Sequence, residues 1–423
     1  PAYLAARWGS RGAGATAAPP RVVIEAAEPW QDWLLTLVRL DSADGGAERL
    51  FLPLAIRWQQ DGTELATVPP AAITLAQARR QSTPGLLFEA LADAGFVRTL
   101  ACAIGTGDDI PLGDGRLALK PTDACLELLA GCAEAEVHPL AEDPDNAAVL
   151  GDRLILKTLH CRAPALERGA VALAAAAEPD TVTEPDPMVD TARHLTEIAR
   201  FPGAPALAGH IDYGRNGAAP CTLALLEQYI PNQGDLDDRV RDLLQRLYDE
   251  HFAAGSGDAW REDPGQIGFA GLIDRLGARI AGLHVALAAG TGEAGHGNDA
   301  FRPEPMTDAD NQRLREDLHT AASGALTTLR GRRDQLRAGA VDTADRLLAA
   351  EAELHQRIDD LGRHGCGPAR CRLHGDLRLA RVMVAQDEPV FIDAGGPAHR
   401  PPAERRAKRP PLTDLGTLLC DLH

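Results

Sequence analysis

Two short aspartate-bearing segments near the C-terminus constrain this chain more than any other feature. The segment His-Gly-Asp-Leu carries Asp376, and the segment Val-Phe-Ile-Asp ends at Asp393. Two apolar runs, Ala380–Ala385 and Pro389–Ile392, predict a short β pair that brings both carboxylates to one end of a hairpin. Such a pair suits phosphoryl transfer, in which Asp376 accepts the proton of an attacking hydroxyl and Asp393 holds magnesium. The alternative is purely structural, with an Asx turn at Asp376 and a strand-end cap at Asp393.

Length and charge exclude several classes of protein. The 423 residues predict two or three packed units. The 43 Lys and Arg against 61 Asp and Glu leave a net charge of −18, which repels polyanions and argues against a nucleic-acid partner. No apolar run approaches the roughly 20 residues of a membrane helix, and no secretory signal stands at the start, so we expect no membrane partner and a cytoplasmic protein.

The eight cysteines are scattered along the chain without a C-x-x-C spacing. This pattern predicts free thiols in a reducing compartment. Cys366, Cys371 and His374 lie close in sequence, but without a fourth ligand they make a weak candidate for a metal site.

Apolar periodicity divides the chain into three predicted parts, 1–100, 101–230 and 231–423. The first predicts a β hairpin around Asp41–Glu48 and helical structure over Ala71–Gly95. The second predicts a strand, a Gly-Asp turn and a strand over 147–159, a helix over Pro187–Arg200 and a strand over Thr222–Ile230. The third is predicted to be mostly helical, over 236–253, 267–288, 307–336 and 343–361. A β-rich half followed by a helical half that carries a late β pair is the outline of a two-lobed, kinase-like α+β protein.

Lys157 is the third candidate functional residue. The chain has only three lysines, and Lys157 ends the strand-like run Leu-Ile-Leu-Lys in the N-terminal half. Kinases use a strand lysine of this kind to grip the α- and β-phosphates of ATP. An exposed strand-end lysine is the alternative. A functional lysine needs a carboxylate on the following helix, for which Asp190 and Glu197 are the candidates.

With these residues in view, the chain resembles bacterial maltokinases of the aminoglycoside-phosphotransferase and protein-kinase-like superfamily, especially the kinase domain fused to trehalose synthase. The stretches that carry the resemblance run through most of the chain: Arg7-Trp8, Phe51–Ala55, Gly151–Lys157, Leu223–Asp235, His374–Leu377 and Ala403–Arg406.

The resemblance implies a kinase-like fold with an extra N-terminal cap over 1–100, an ATP-gripping lobe over 101–230 and a catalytic, sugar-binding lobe over 231–423. It also implies ATP-dependent phosphorylation of maltose to maltose 1-phosphate, with a trehalose synthase domain as partner. Residue by residue, it implies that Lys157 binds the ATP phosphates and that Asp190 is the acidic partner of this lysine. Glu227, Gln228 and Tyr229 would form the adenine hinge. Asp376 would be the base, and Asp393 would bind magnesium.

The chain departs from the family pattern at the metal site. The family pattern is His-Gly-Asp-Leu-His-Leu-Gly-Gln, and this chain has Arg381 at the position of the final glutamine. A guanidinium cannot donate a lone pair to a cation. Where the family reads Asp-Phe-Glu-Gly-Glu-Pro, Gly395 replaces the first glutamate.

Two hypotheses follow: Arg381 binds the phosphates directly, or the domain is an impaired kinase that serves as a scaffold. Restoring Gln at 381 and Glu at 395 is expected to raise turnover if the chain is a weakened kinase. A kinase acting on an aminoglycoside or choline-like substrate is a further alternative, which the acidic charge would suit.

Overall fold

The computed structural model of the chain describes residues 20–41, 47–59, 74–140, 147–163, 186–215, 220–254, 264–290, 299–364, 367–397 and 400–422. The segments Arg7-Trp8 and 164–185, with Cys366, lie outside these residues. The chain forms two compact units. Unit 1 comprises residues 1–286 and 374–406, and unit 2 comprises residues 287–373 and 407–423. The three-part division predicted above stays a prediction.

The first sheet of unit 1 is built from the N-terminal strands. Its strands are β1 (Arg21–Trp30), β2 (Trp33–Asp41), β3 (Ala47–Phe51), β4 (Leu54–Trp58), β5 (Thr74–Arg80), β6 (Thr83–Glu89) and, from further along the chain, β12 (His160–Ala163). The strand order is β12-β3-β2-β4-β6-β5, with β1 paired to β2. The pairing of β2 with β3 confirms the hairpin predicted around Asp41–Glu48.

The helix predicted over Ala71–Gly95 is wrong. Strands β5 and β6 occupy most of this range and pair antiparallel across Gln81 and Ser82. Helix α1 (Ala94–Thr106) begins only at the end of the range, where the Asp93 side chain accepts a hydrogen bond from the Phe96 N–H. The sequence of β5, Thr-Leu-Ala-Gln-Ala-Arg-Arg, contains good helix formers. Its strand conformation comes from pairing with β6, which pairs in turn with β4.

The second sheet of unit 1 carries the lysine strand. It contains β7 (Asp109–Leu112), β8 (Gly115–Pro121), β9 (Val137–Pro139), β10 (Ala147–Leu150), β11 (Leu154–Thr158), β13 (Leu207–Arg215) and β14 (Cys221–Gln228), in the order β7-β8-β13-β14-β11-β10-β9. Helices α2 (Cys125–Leu129) and α3 (Pro187–Arg193) connect its strands, and a π-helical turn, His194–Ile198, extends α3. One apolar core joins both sheets to α1, and fully buried members include Leu37, Phe88, Leu100 and Leu156.

The remaining elements of unit 1 are α4 (Leu236–Ala254), α5 (Pro264–Leu287), the hairpin β17 (Val382–Ala385) and β18 (Glu388–Phe391), and the short helix α9 (Pro402–Arg406). The hairpin confirms the late β pair, and α4 and α5 confirm two of the predicted helices. Val382 pairs with Phe391 at the open end of the hairpin, and Ala385 pairs with Glu388 at its turn.

Unit 2 is mostly helical, and few of its described apolar side chains are fully buried. It contains α6 (Asp308–Arg332), α7 (Ala338–Ala349), α8 (Glu351–His364) and α10 (Leu412–Asp421), with the short strands β15 (Glu304–Pro305) and β16 (Ala369–Arg370). The helical structure predicted over 343–361 is confirmed except at Ala350, which separates α7 from α8. The Arg372 guanidinium lies 4.8 Å from the Phe301 ring centroid in a cation–π contact.

The cysteines follow the prediction only in part. Cys102, Cys125, Cys132, Cys371 and Cys420 are free. Cys221 is disulfide-bonded, so the prediction of free thiols is wrong there. No helix in the described part of the chain is long and apolar enough to cross a membrane.

Candidate active site

Lys157 lies near the end of a buried strand. The hairpin of β10 and β11 turns at Gly151 and Asp152, both at positive φ (60° and 50°), a conformation that the Gly-Asp pair tolerates. Leu154, Ile155 and Leu156 are buried in the sheet, and the Lys157 side chain is only 20% exposed. The predicted position of Lys157 in a strand is therefore confirmed, and its contact with ATP phosphates stays a prediction.

Two carboxylates hold the Lys157 ammonium. Its Nζ lies 2.9 Å from Glu227 Oε2 and 3.2 Å from Asp393 Oδ1. Burial alone would lower the pKa of Lys157, but the charges of Asp393 and Glu227 outweigh it and hold the pKa above its ordinary value. Lys157 therefore stays a cation at neutral pH.

Asp393 lies at the open end of the hairpin and joins two cations. Its Oδ1 faces Lys157, and its Oδ2 accepts a hydrogen bond from Arg381 Nη1. Burial by itself would raise the pKa of Asp393, but the charges of Lys157 and Arg381 prevail and hold the pKa below its usual value. The residue has φ 57°, a left-handed conformation that costs energy in a non-glycine residue.

Asp376 is positioned by the loop before the hairpin. His374 is fully buried, and its Nε2 donates to the Ile392 carbonyl over 2.9 Å. Its Nδ1 is then the acceptor for the Asp376 N–H at 3.4 Å. The Asp376 carboxylate pairs with Arg378 at 2.8 Å and lies 4.0 Å from Arg381 Nε. The six groups form an alternating series of charges: Glu227, Lys157, Asp393, Arg381, Asp376 and Arg378.

Gly395 fits its place only as glycine. It has φ 128°, and a Cβ there would lie 2.5 Å from Met188 Cα in α3. The N–H groups of Gly395 and Gly396 both donate to the His374 carbonyl at 2.9 Å. A side chain at position 395 therefore requires the backbone to shift, and the expectation that restoring Glu there raises turnover stays a prediction. The substitution at Arg381 has no such obstacle.

A buried arginine ties this loop to the start of α3. The Arg405 side chain is 4% exposed; its Nε donates to the Gly395 carbonyl, and its two Nη atoms each lie 2.9 Å from the Asp186 carboxylate. Asp186 also caps α3 by accepting from the Met188 N–H. Arg405 belongs to the stretch Ala403–Arg406, but sequence reasoning gave it no role.

The remaining predicted residues are Asp190 in α3 and the segment from Glu227 to Tyr229 at the end of β14. Asp190 is half-buried in the first turn of α3, and its role as the partner of Lys157 stays a prediction. Glu227 contacts Lys157, and its place in the adenine hinge stays a prediction. The main-chain N–H groups of Gln228 and Tyr229 donate to the carbonyls of Ala206 and Arg153 at 2.7 Å, so an adenine must find other groups of this segment.

The carboxylates of the site do not form a metal centre. Both oxygens of Asp393 contact cations, and Arg381 stands where a neutral metal ligand was expected. Within the described ranges, no group of three or more His, Cys, Asp and Glu side chains is placed to hold a metal ion. The donor set present therefore does not fit a magnesium shared by two side chains.

The sheet-rich and helical parts and the placement of the lysine define a two-lobed, kinase-like fold. Comparison with models of protein families and with curated protein sequences finds no match. Comparison with solved structures finds three of glucosamine kinase. The complex with glucosamine, ADP and inorganic phosphate is 18% identical with a TM-score of 0.54, covering 97% of this chain and 75% of that one. Crystal form B is 18% identical with a TM-score of 0.56, and the match covers 96% of this chain and 74% of that one. Crystal form A is 19% identical with a TM-score of 0.54, and the match covers 96% of this chain and 72% of that one. At this identity the likeness shows the fold.

Proposed function

We propose that this chain is an ATP-dependent phosphotransferase of the maltokinase type that phosphorylates a small sugar. The observation that carries the proposal is the contact between Lys157 and Asp393 at 3.2 Å, which joins a strand lysine to the carboxylate after the hairpin, 236 residues away. Phosphoryl transfer needs these two parts together. Maltose, giving maltose 1-phosphate, is the first substrate to test. Glucosamine is the second, because the structural neighbours are glucosamine kinases and the negative charge suits an amino sugar.

In this proposal, two cationic side chains bind the phosphates of the nucleotide. Lys157 and Arg381 contact different oxygens of Asp393, and in the proposal the phosphates of ATP bind the same two cations. Asp190 supports the lysine, and the segment from Glu227 to Tyr229 lies along the adenine. Because the donor set does not fit a shared magnesium, no step is routed through the metal, and Arg381 supplies the positive charge at the transferred phosphate.

Asp376 is the proposed base. A sugar hydroxyl attacks the γ-phosphorus, a new P–O bond forms, the bond from that phosphorus to ADP breaks, and the hydroxyl proton passes to Asp376. The Asp376 carboxylate is 15% exposed and Arg378 48% exposed, so the pair between them is in contact with solvent. Such a pair contributes at most about 1 kcal/mol, so Arg378 can turn away when the sugar binds.

The ion pair between Asp376 and Arg378 also favours a second function, that of a scaffold domain associated with a trehalose synthase. If Arg378 keeps its 2.8 Å contact with Asp376 in the presence of substrate, the base is blocked. A chain of this kind binds nucleotide without turning it over.

One experiment separates the two. ATP is titrated calorimetrically with and without magnesium, and ADP release is then followed with maltose and with glucosamine. Sugar-stimulated release that falls at least about 100-fold in Asp376→Asn supports the kinase. Binding without release supports the scaffold, and the absence of binding contradicts both.

Two further variants test the cations. Lys157→Met is expected to weaken ATP binding about tenfold or more, because a charge-assisted contact to phosphate is lost. Lys120→Met is the matched control, since Lys120 is also a strand lysine paired with a carboxylate, Asp212 at 2.8 Å.

Arg381→Gln frees one oxygen of Asp393 and is expected to make ATP binding more dependent on magnesium. An unchanged magnesium dependence in Arg381→Gln would contradict the role given to Arg381.

A further inference from the structure

A cavity lies in unit 1, away from the charges described above. It has a volume of about 390 Å³ and is bounded by α4, the first half of α5 and the turn of the β17–β18 hairpin. Its nearest approach to the hairpin is Asp387, at the turn, whereas Arg381 and Asp393 flank the open end. Strands of four residues separate the two ends by about 13 Å. The cavity is therefore a separate site from the candidate active site.

Three arginines line this cavity. Arg239 and Arg246 come from α4, with Leu243 between them on the same helix face, and Arg275 comes from α5. Among the described residues that line the cavity, Asp387 is the one acidic residue. Arg275 is engaged at the turn, since its Nε donates to the Asp387 carbonyl at 2.8 Å and lies 3.7 Å from Glu388. In a chain of net charge −18, such a group of cations is a local exception.

Arg239 holds a buried donor without an acceptor. Its Nη2 donates to Gln233 Oε1 at 2.8 Å, but its Nε is buried and has no hydrogen-bond partner among the described residues. Buried polar groups are normally satisfied, so an unpaired N–H beside a cavity points to a missing acceptor. Arg246 is exposed and has no acidic partner in the part of the chain that the structure describes.

The cavity also has an apolar floor. Leu243 and Leu272 are buried, and Phe269 lines the wall. A volume of this size suits a molecule of roughly monosaccharide dimensions. Guanidinium groups bind phosphate through paired N–H donors, and an aromatic ring packs against the C–H face of a sugar.

We propose that the cavity between α4 and α5 binds a small organic phosphate, with Arg239 and Arg246 holding the phosphate group and Phe269 contacting the organic part. The proposal does not depend on the function of the active site. It rests on the cavity, the arginines that line it and the unpaired Arg239 Nε.

Glucose 6-phosphate is the probe, titrated calorimetrically into the full chain, with glucose and inorganic phosphate in separate titrations. We expect glucose 6-phosphate to bind in the micromolar to submillimolar range, inorganic phosphate more weakly, and glucose not at all. Arg239→Gln and Arg246→Gln are each expected to weaken binding about tenfold. Arg241→Gln is the control, because Arg241 lies on the same helix, outside the cavity, and pairs with Asp237.

Each other outcome overturns the proposal. No heat with glucose 6-phosphate, or equal affinity in Arg239→Gln and Arg246→Gln, means that the cavity does not bind organic phosphate. Binding that is lost in Asp376→Asn but kept in the two arginine variants means that the probe occupies the candidate active site. Arg246 is exposed, so its variant keeps the test valid if Arg239→Gln does not fold.

Discussion

Backbone conformation at single residues shapes the candidate active site as much as side-chain charge does. Asp393 and Gly395 both have positive φ, at 57° and 128°. The conformation at Asp393 turns its carboxylate toward two cations, and the one at Gly395 brings the chain against α3. Packing against α3 thus leaves no space for a glutamate side chain at 395 on this backbone, whereas Arg381 places a positive charge on Asp393.

Gly395→Ala is the test of this packing argument. The new Cβ would lie 2.5 Å from Met188 Cα and 2.8 Å from the Pro187 carbonyl, so the backbone must shift. We expect the free energy of unfolding to fall by about 2–3 kcal/mol. Urea unfolding followed by tryptophan fluorescence measures the change.

Gly277→Ala is the matched control for this substitution. Gly277 lies in α5, also in unit 1, and a Cβ there meets nothing within 4 Å. Alanine in a helix interior is favoured over glycine by up to about 1 kcal/mol, so this variant is expected to be equally or more stable. Equal stability of the two variants would mean that the loop at 395 moves freely away from α3.

At the residue scale, sequence reasoning found Lys157, Asp376 and Asp393 because short local patterns mark them. It did not find the contact of Glu227 with Lys157, which joins neighbouring strands β11 and β14. Nor did it find Arg405, whose partner Asp186 lies 219 residues earlier in the chain. Contacts at such separations depend on the tertiary fold, and a single sequence gives no signal for them.

Helix α3 is the element that links the sheet to the aspartate loop. It packs on β13 and β14 through Val189, Leu207 and Leu225, and its N-terminus is held by Asp186 and Arg405. Arg405 bonds both Asp186 and the Gly395 carbonyl, so it fixes two elements at once. A change at this one side chain therefore affects the loop that carries Asp393.

Arg405→Met is expected to lower the free energy of unfolding by about 2–4 kcal/mol, because it leaves Asp186 without its buried cation. It is also expected to speed amide hydrogen exchange in the first turn of α3, where the Met188 N–H depends on Asp186. Arg400→Met, at an exposed arginine of the same segment, is the control. Unchanged exchange at Met188 in Arg405→Met would show that the pair does not hold the helix.

Elements were predictable where the local pattern agreed with the tertiary context. The β10–β11 and β17–β18 hairpins have apolar runs around turn residues, and both are confirmed. Strand β5 was missed because its Ala- and Arg-rich sequence favours a helix and only its pairing with β6 makes it a strand. The break at Ala350 between α7 and α8 has no glycine or proline to mark it.

At the scale of the whole molecule, the two units differ in how much apolar surface they bury. The core of unit 1 includes some thirty buried residues drawn from both sheets and α1. Among the described residues, fully buried apolar side chains are fewer in unit 2 and include Leu287, Phe301 and Leu326. Because burial of apolar surface is the main source of stability, we expect unit 2 to be the less stable of the two.

The positions of the tryptophans make this difference measurable without any label. The three tryptophans among the described residues, at 30, 33 and 58, lie in unit 1, so their fluorescence reports on that unit. Helices α6, α7, α8 and α10 of unit 2 contribute strongly to the circular dichroism at 222 nm. In urea we expect the dichroism to lose a large part of its amplitude at a lower midpoint than the fluorescence, since different probes coincide only when a protein unfolds in one step. Coincident transitions would contradict this prediction and would mean that the small core of unit 2 unfolds only together with unit 1.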